Sequence, residues 1–226
     1  MMSNNEKENY MQKSEDKINN MSKKEIKVIG ITGEAGSGKT TITKEYARLK
    51  KGYYILTDDV AKEVMEPDED CYKKIVAYFG KDILQIDNTI NREKLAKIVF
   101  NNEQELKVLN SLVHNEVVTK VIDIIENIKS LNNINNCGNI YEVVLIESAI
   151  LFQVQDLVNL CDEIWYVETT EEERKARLKR ERNYSDERIE AMSISQESVR
   201  LTKDKCNRII INDRDIEELN EFLLTL

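Results

Sequence analysis

The sequence contains little proline, glycine, histidine or cysteine for a chain of 226 residues. One proline and seven glycines exclude collagen-like and proline-rich classes. The single histidine, His114, excludes a metal site built from several histidines and any mechanism that needs two imidazoles. The cysteines form no C-x-x-C pair, which argues against a zinc knuckle or a disulfide scaffold and favours a reducing compartment, the cytoplasm. They are Cys71, Cys137, Cys161 and Cys206.

Charge and hydropathy exclude further classes. Asp and Glu number 42 and Lys and Arg 33, which gives a net charge of −9 and no overall basic field for nucleic acid. No apolar run approaches the ~18 residues that span a bilayer, and the N-terminus lacks the apolar core of a secretory signal. We therefore expect neither nucleic acid nor membrane as a partner, and the oligomeric state stays open. Residues 1–24 are polar and predict a disordered extension.

From residue 25 onward, short Val- and Ile-rich runs alternate with amphipathic stretches. The predicted strands are Lys27–Ile31, Tyr53–Leu56, Val143–Ile146, Ile164–Val167 and Arg208–Ile211. The predicted helices are Lys39–Lys50, Asp59–Glu66, Cys71–Phe79, Arg92–Phe100, Glu103–Ile128, Glu171–Arg182, Asp186–Cys206 and Ile216–Leu224. Continuous apolar strands between helices predict an α/β fold, a five-stranded parallel sheet with helices on both faces, in one domain over residues 25–226. Residues 67–131 are too long for one crossover and predict a helical insertion, followed by a loop over Asn132–Gly138.

A phosphate-binding loop is the strongest motif in the chain. Four of the seven glycines lie between Gly30 and Gly38, and residues 33–40, GEAGSGKT, match G-x-x-x-x-G-K-[ST] between a predicted strand and a predicted helix. Such a loop points backbone N–H groups at a triphosphate, which also meets the positive end of the helix. We expect Lys39 to reach the β- and γ-phosphates and Thr40 to bind Mg²⁺. The predicted nucleotide ligands are Gly33, Gly36, Ser37, Gly38, Lys39, Thr40 and Thr41.

Other nucleotide-binding classes fit less well. No glycine lies three residues after an aspartate, and N-K-x-D does not occur, so the motifs of a GTPase switch are missing. The chain is also short for a large motor ATPase. A small kinase remains, and it needs an acceptor-side carboxylate, a carboxylate that supports the metal, and a mobile cationic lid.

Two carboxylates follow predicted strands. Asp58 comes after the second strand, where it could orient an attacking hydroxyl and accept its proton, or simply cap the next helix. From spacing alone, Asp59 is a rival for the catalytic role. Glu147 ends the third strand and could hold Mg²⁺ through water or contact substrate, or cap the following helix.

The lid candidate is a helix that starts after the fourth strand. Thr170 and Glu173 have the spacing of a capping box. Six cations follow within nine residues: Arg174, Lys175, Arg177, Lys179, Arg180 and Arg182. Arginines there could clamp phosphates, or pair with the leading glutamates on a solvated face. Arg177 and Arg180 share one face at i,i+3 spacing.

The ordered motifs between Lys27 and about Leu224 resemble the dephospho-CoA kinase family. They are ITGEAGSGKTT, LTDDVAKEVMEP, AYFGKDIL, NTINREKLAKIVF, LNSLVHNEVV, VLIESAILF, LCDEIWYV, RLKRERNYS, ISQES and IIIND. The resemblance implies ATP-dependent phosphorylation of the ribose 3′-hydroxyl of dephospho-CoA, the last step of coenzyme A synthesis. It implies ATP and Mg²⁺ as cofactors and a small-molecule partner, dephospho-CoA.

The resemblance also implies roles for individual residues. It favours Asp58 over Asp59 as the catalytic aspartate, and it implies that Arg177 and Arg180 act with Lys39 in catalysis from a lid over about residues 174–185. The implied substrate contacts are Asp58, Arg92, His114 and Glu147, and Gln196 matches a glutamine of the helix after the lid. The chain departs from the family pattern at Glu34, Leu56, Asn115, Glu147 and Ala149.

Three alternatives remain open from the sequence. The chain could be a related kinase that acts on a nucleoside monophosphate or another small alcohol. It could be a nucleotide-binding switch without an acceptor, or a catalytically weakened relative of the family.

Overall fold

The computed structural model describes residues 26–100, 102–134 and 140–226. Its strands are β1 (Lys27–Gly33), β2 (Gly52–Leu56), β3 (Val143–Glu147), β4 (Glu163–Glu168) and β5 (Arg208–Ile211). They form one parallel sheet in the order β2-β3-β1-β4-β5. The predicted five-stranded parallel α/β fold is confirmed. The predicted N-terminal extension, Cys137 and residues 135–138 of the predicted loop lie outside the described residues.

Ten α-helices lie within the described ranges. They are α1 (Lys39–Leu49), α2 (Thr57–Glu63), α3 (Asp70–Phe79), α4 (Arg92–Phe100), α5 (Glu103–Ile134), α6 (Gln155–Asn159), α7 (Glu171–Arg182), α8 (Asp186–Ser195), α9 (Glu197–Arg200) and α10 (Ile216–Leu224). Short 3₁₀ turns occupy Lys81–Ile83, Leu151–Gln153 and Lys203–Lys205. Helices α3, α4 and α5 fill the long stretch between β2 and β3 that the sequence assigned to an insertion.

Three helix predictions were wrong in their bounds by more than one residue. Helix α2 begins at Thr57 instead of Asp59, directly after β2. Helix α5 runs on to Ile134, so Asn132 does not start a loop. Instead, the buried Asn132 side chain bonds the backbone of Ile140 and Tyr141, which ties the helix end to the chain entering β3. The single helix predicted over Asp186–Cys206 is two helices and a 3₁₀ turn.

Alternating strand residues build two hydrophobic cores, one on each face of the sheet. In β3, Val144 and Ile146 pack into the core shared with the insertion helices, while Leu145 faces the other way. That second core joins Leu145 to Ile42 of α1 and Leu223 of α10, all fully buried. Because successive strand residues point to opposite faces, one continuous apolar strand serves both cores.

The register of the strands brings their carboxyl ends together at one edge. Glu147 at the end of β3 is paired with Leu56 on one side and with Ile31 of β1 on the other. The chain following each strand therefore emerges at the same place, where open α/β sheets bind ligands.

Candidate active site

The phosphate-binding loop joins β1 to α1 and is shaped by its glycines. Gly38 has φ 87°, and a Cβ built there would lie 1.9 Å from Nδ2 of Asn212. A Cβ on Gly33 would lie 2.3 Å from the carbonyl oxygen of Val167. Both sites exclude a side chain, because the conformation of Gly38 disfavours L-residues and neighbouring atoms fill the space at both.

The Ser37 carbonyl is the anchor of the loop. It accepts hydrogen bonds from Nδ2 of Asn212 at 2.8 Å and from Nη1 of Arg177 at 3.3 Å. Nη2 of Arg177 also donates to the carbonyl of Asn212 at 3.2 Å. Residues far along the chain therefore hold the loop in position.

Lys39 lies in the first turn of α1 with its ammonium group buried. Nζ donates to the carbonyl oxygen of Glu34 at 2.9 Å. Burial lowers the pKa of Lys39, and the carboxylates of Glu147 and Asp58 oppose that effect. The two carboxylates thus favour the charged ammonium group that burial disfavours, and a charged ammonium group can bind a polyphosphate.

Glu147 and Thr40 form a pair beside the loop. Oγ1 of Thr40 donates to Oε1 of Glu147 at 2.9 Å, while the buried Oε2 has no hydrogen-bond partner among the described residues. Burial raises the pKa of Glu147, against the lowering effects of Thr40 and Lys39. The carboxylate does not cap a following helix. Its free oxygen fits the coordination sphere of a hydrated Mg²⁺, a hard cation that prefers oxygen ligands.

Asp58 lies in the first turn of α2 and is exposed to the site. The N-cap of α2 is Leu56, without a side-chain cap, so neither aspartate plays the capping role that the sequence left open. Asp59 instead pairs with Lys62 at 2.6 Å. Of the two neighbours, Asp58 is therefore the one without an ion pair within the described part of the chain.

The helix that the sequence proposes as a lid is α7, and it begins as its sequence predicts. Oγ1 of the N-cap Thr170 accepts a hydrogen bond from the Glu173 backbone at 3.2 Å. Lys175 and Arg177 pair with Glu171 and Glu173 one turn earlier. The solvated-face reading is thus correct for part of the cationic cluster, and Arg177 additionally anchors the loop.

One cavity of about 590 Å³ collects most of these groups. Among its lining residues are Gly36, Gly38, Lys39, Thr40, Thr41, Asp58, Asp59, Glu147, Ser148, Arg177, Arg182, Met192, Gln196 and Asn212. The ends of β1, β2, β3 and β5 all contribute, so the site is assembled by the sheet edge.

Other predicted site residues lie elsewhere. The side chain of Arg180 is 65% exposed and pairs with Glu181 at 3.2 Å. Arg92 lines a second pocket of about 520 Å³ with Met65, Glu66 and the residues around Thr89. His114 lies half-buried on α5, where burial lowers its pKa. Within the described ranges, the lining of the larger cavity includes none of these three.

Three lining residues have a position or contact that the sequence prediction did not assign. Asn212 follows β5 in the motif IIIND, and its position at a strand end is the signal that could have identified it. Arg182 lines the cavity where Arg180 was expected. Gln196 accepts a hydrogen bond from the Ala35 backbone at 2.9 Å, which brings the segment after α8 onto the loop.

Comparisons with known proteins identify the family of this chain. A family model described as dephospho-CoA kinase matches residues 27–218. A dephospho-CoA kinase from Carboxydothermus hydrogenoformans is 34% identical over 89% of this chain and 93% of the relative. A Thermus thermophilus crystal structure (TM-score 0.69, 22% identity) covers 88% of this chain and 95% of its own. A Campylobacter jejuni dephospho-CoA kinase structure (TM-score 0.55, 21% identity) covers 88% and 94%, so both share the fold. The chain therefore belongs to the dephospho-CoA kinase family.

Proposed function

We propose that the chain transfers the terminal phosphoryl group of ATP to the 3′-hydroxyl of the ribose of dephospho-CoA, giving ADP and coenzyme A. Membership of the family supports ATP as co-substrate and a small molecule as acceptor. The observation that carries the proposal is the single cavity in which a phosphate-binding loop, Asp58 and Glu147 meet.

Asp58 orients the acceptor in this mechanism. Its carboxylate accepts the proton of the attacking hydroxyl, the new bond forms between that oxygen and the γ-phosphorus, and the bond to the β-phosphate oxygen breaks. Lys39 and the loop amides hold the phosphates throughout. Asp58 follows β2, and β2 is paired with β3, so the acceptor would lie against the strand that carries Glu147.

Thr40 and Glu147 would hold Mg²⁺, Thr40 through its hydroxyl and Glu147 through water. The unpartnered Oε2 of Glu147 supports this assignment. When bound, Mg²⁺ neutralises phosphate charge that the loop alone leaves uncompensated.

Residues 174–185 act as the lid in this proposal. Arg177 couples the lid to the loop, and Arg182 supplies a second cation at the cavity. The Arg180 side chain faces outward, so it would reach phosphate only after the lid moves. Closure of the lid also excludes water that would otherwise hydrolyse ATP. Arg92 and His114 would then contact the more distant part of dephospho-CoA, along the insertion.

The proposed setting is the cytoplasm. Cys71, Cys161 and Cys206 are free thiols, and burial raises the pKa of each, to about 11 for Cys71 and Cys206 and to about 12 for Cys161. Unreactive free thiols suit a reducing compartment. Among the described residues, no helix has the length and apolarity of a membrane span.

Mass spectrometry of a reaction with ATP, Mg²⁺ and dephospho-CoA tests the proposal. We expect a product about 80 Da heavier than the acceptor, as the addition of one phosphoryl group requires. Nucleoside monophosphates and small alcohols in parallel reactions test the alternative acceptors. ATP binding without any phosphorylated product would contradict the proposal and favour a switch or a weakened enzyme.

A further inference from the structure

Glu34 places a negative charge in the loop that binds phosphate. Its backbone carbonyl accepts the hydrogen bond from Nζ of Lys39, so the residue lies directly beside the phosphate-binding cation. Its side chain is only 16% exposed, and Oε1 is buried without a hydrogen-bond partner among the described residues. The Glu34 side chain is not part of the cavity lining, but its charge acts on Lys39 and raises the pKa of that ammonium group. The same charge opposes the binding of a polyphosphate unless another group neutralises it, since like charges repel in a partly desolvated site.

Arg200 supplies the opposing charge. Its Nε lies 3.3 Å from Oε1 of Glu34, too poorly aligned for a hydrogen bond but well within ion-pair distance. Its Nη2 donates to the carbonyl of Ser193 at 2.6 Å, which fixes the guanidinium between α8 and the loop. The positive charge therefore lies beside Glu34.

A second contact joins the same two segments. Gln196 accepts a hydrogen bond from the backbone N–H of Ala35, the residue after Glu34. Residues 193–200 thus touch the loop at two consecutive positions. An ion pair between flexible exposed side chains contributes little to stability. Here the Glu34 side chain is mostly buried, and the hydrogen bond from Ala35 to Gln196 holds the two segments that carry Glu34 and Arg200 together.

We propose that Arg200 is a positioning residue that neutralises Glu34 and thereby keeps the loop able to bind the triphosphate of ATP. The inference rests on the proposed function, because it assumes that the loop binds ATP. Arg200 acts through Glu34, without a contact to the nucleotide. Its loss should therefore weaken ATP binding only while the charge on Glu34 is present.

A double-mutant cycle tests the proposal, with the Kd for Mg·ATP measured by isothermal titration calorimetry and kcat and KM measured in the kinase reaction. We expect R200Q to raise the Kd and KM for ATP about tenfold with a smaller change in kcat, as an uncompensated charge near phosphate implies. E34Q should bind ATP at least as well as wild type, and E34Q/R200Q should recover most of the affinity lost in R200Q. The control is R188Q, which removes an exposed arginine of α8 that stacks on Tyr184, and it should leave Kd unchanged.

Two results would overturn the inference alone: R200Q with wild-type ATP affinity, or E34Q/R200Q as weak as R200Q. The second would mean that Arg200 acts on the nucleotide directly or through the fold. Thermal unfolding of each variant shows whether the fold is intact. The double variant E34Q/R200Q lacks both side-chain charges, so we expect it to bind ATP if the charge of Glu34 alone causes the loss in R200Q. Failure of the wild-type protein itself to bind ATP would overturn the proposed function and this inference with it.

Discussion

At the scale of single residues, neighbours of the same type have different surroundings and should differ in effect. Asp58 faces the cavity without an ion pair in the described part of the chain, whereas Asp59 is paired with Lys62. We expect D58N to lower kcat by about 100-fold or more, because an amide cannot accept the proton of the acceptor hydroxyl. The Kd for ATP should stay close to that of wild type, and D59N is the matched control. Single-turnover transfer by D58N at the native rate would contradict the role.

Gly38 and Gly80 provide a second matched pair. Both have positive φ, 87° and 82°, but a Cβ on Gly38 would meet Asn212 while one on Gly80 would meet nothing within 4 Å. Gly80 combines φ 82° with ψ 170°, a region that is almost exclusive to glycine, so G80A should cost the conformational penalty alone, about 1–3 kcal/mol of the free energy of unfolding. G38A should also displace Asn212 and abolish ATP binding. Calorimetric titration with ATP and chemical denaturation measure the two effects, and ATP binding by G38A at wild-type affinity would contradict the expectation.

The ionised Glu147 side chain should lower the stability of the native state while it supports Mg²⁺-dependent ATP binding. Because burial raises its pKa above the unfolded value, its ionisation destabilises the native state as pH rises through that value, and the penalty is absent at lower pH where both states are protonated. We expect E147Q to raise the melting temperature at pH 7.5, with a smaller gain near pH 4, and to weaken Mg²⁺-dependent ATP binding. The control is E142Q, an exposed glutamate just before β3. A lower melting temperature for E147Q at pH 7.5 would contradict this account.

At the scale of elements, helix α7 depends on its first turn. Removing the Thr170 hydroxyl leaves the Glu173 N–H without its cap, and we expect T170A to lower the free energy of unfolding of the segment by about 1 kcal/mol. Hydrogen exchange of the α7 amides measures this local effect. T119A is the control, because that exposed threonine is mid-helix and bonds back to the Asn115 carbonyl. Equal protection of α7 in wild type and T170A would show that the cap is unimportant.

Local sequence patterns predict the elements better than their interruptions. The strands were predictable because each is a short run rich in β-branched or aromatic residues. Helix α7 was predictable because its N-cap threonine, its acidic first turn and its basic last turn all mark the same bounds. The break within Asp186–Cys206 was not predictable, since it coincides with Gln196, whose side chain bonds the loop at Ala35. A contact across 161 residues of sequence leaves no local pattern. The contact of Asn212 with Ser37 spans 175 residues of sequence, so only the position of Asn212 after β5 could have marked it. Lys39, Thr40, Asp58 and Glu147 were predictable as site candidates because each combines a position at the end of a strand or the start of a helix with a residue type suited to phosphoryl transfer.

At the scale of the whole molecule, stability depends on closing the core between α1 and α10. Leu223 is fully buried in that core, whereas the adjacent Leu224 is 55% exposed. We expect L223A to lower the free energy of unfolding by about 2–5 kcal/mol through lost burial and a cavity. L224A should change it by less than about 0.5 kcal/mol. Urea denaturation of both variants makes the comparison, and similar losses would mean that α10 does not pack as described.

The anchoring of Ser37 by Arg177 and Asn212 has a consequence for biosynthesis. The ribosome makes residues 33–40 long before it makes Arg177 and Asn212, whose side chains hold the conformation of the loop. A nascent polypeptide without β5 would carry the whole consensus motif and still lack a formed nucleotide pocket. We therefore expect cellular ATP to protect the full-length protein from proteolysis, but not nascent chains that lack β5.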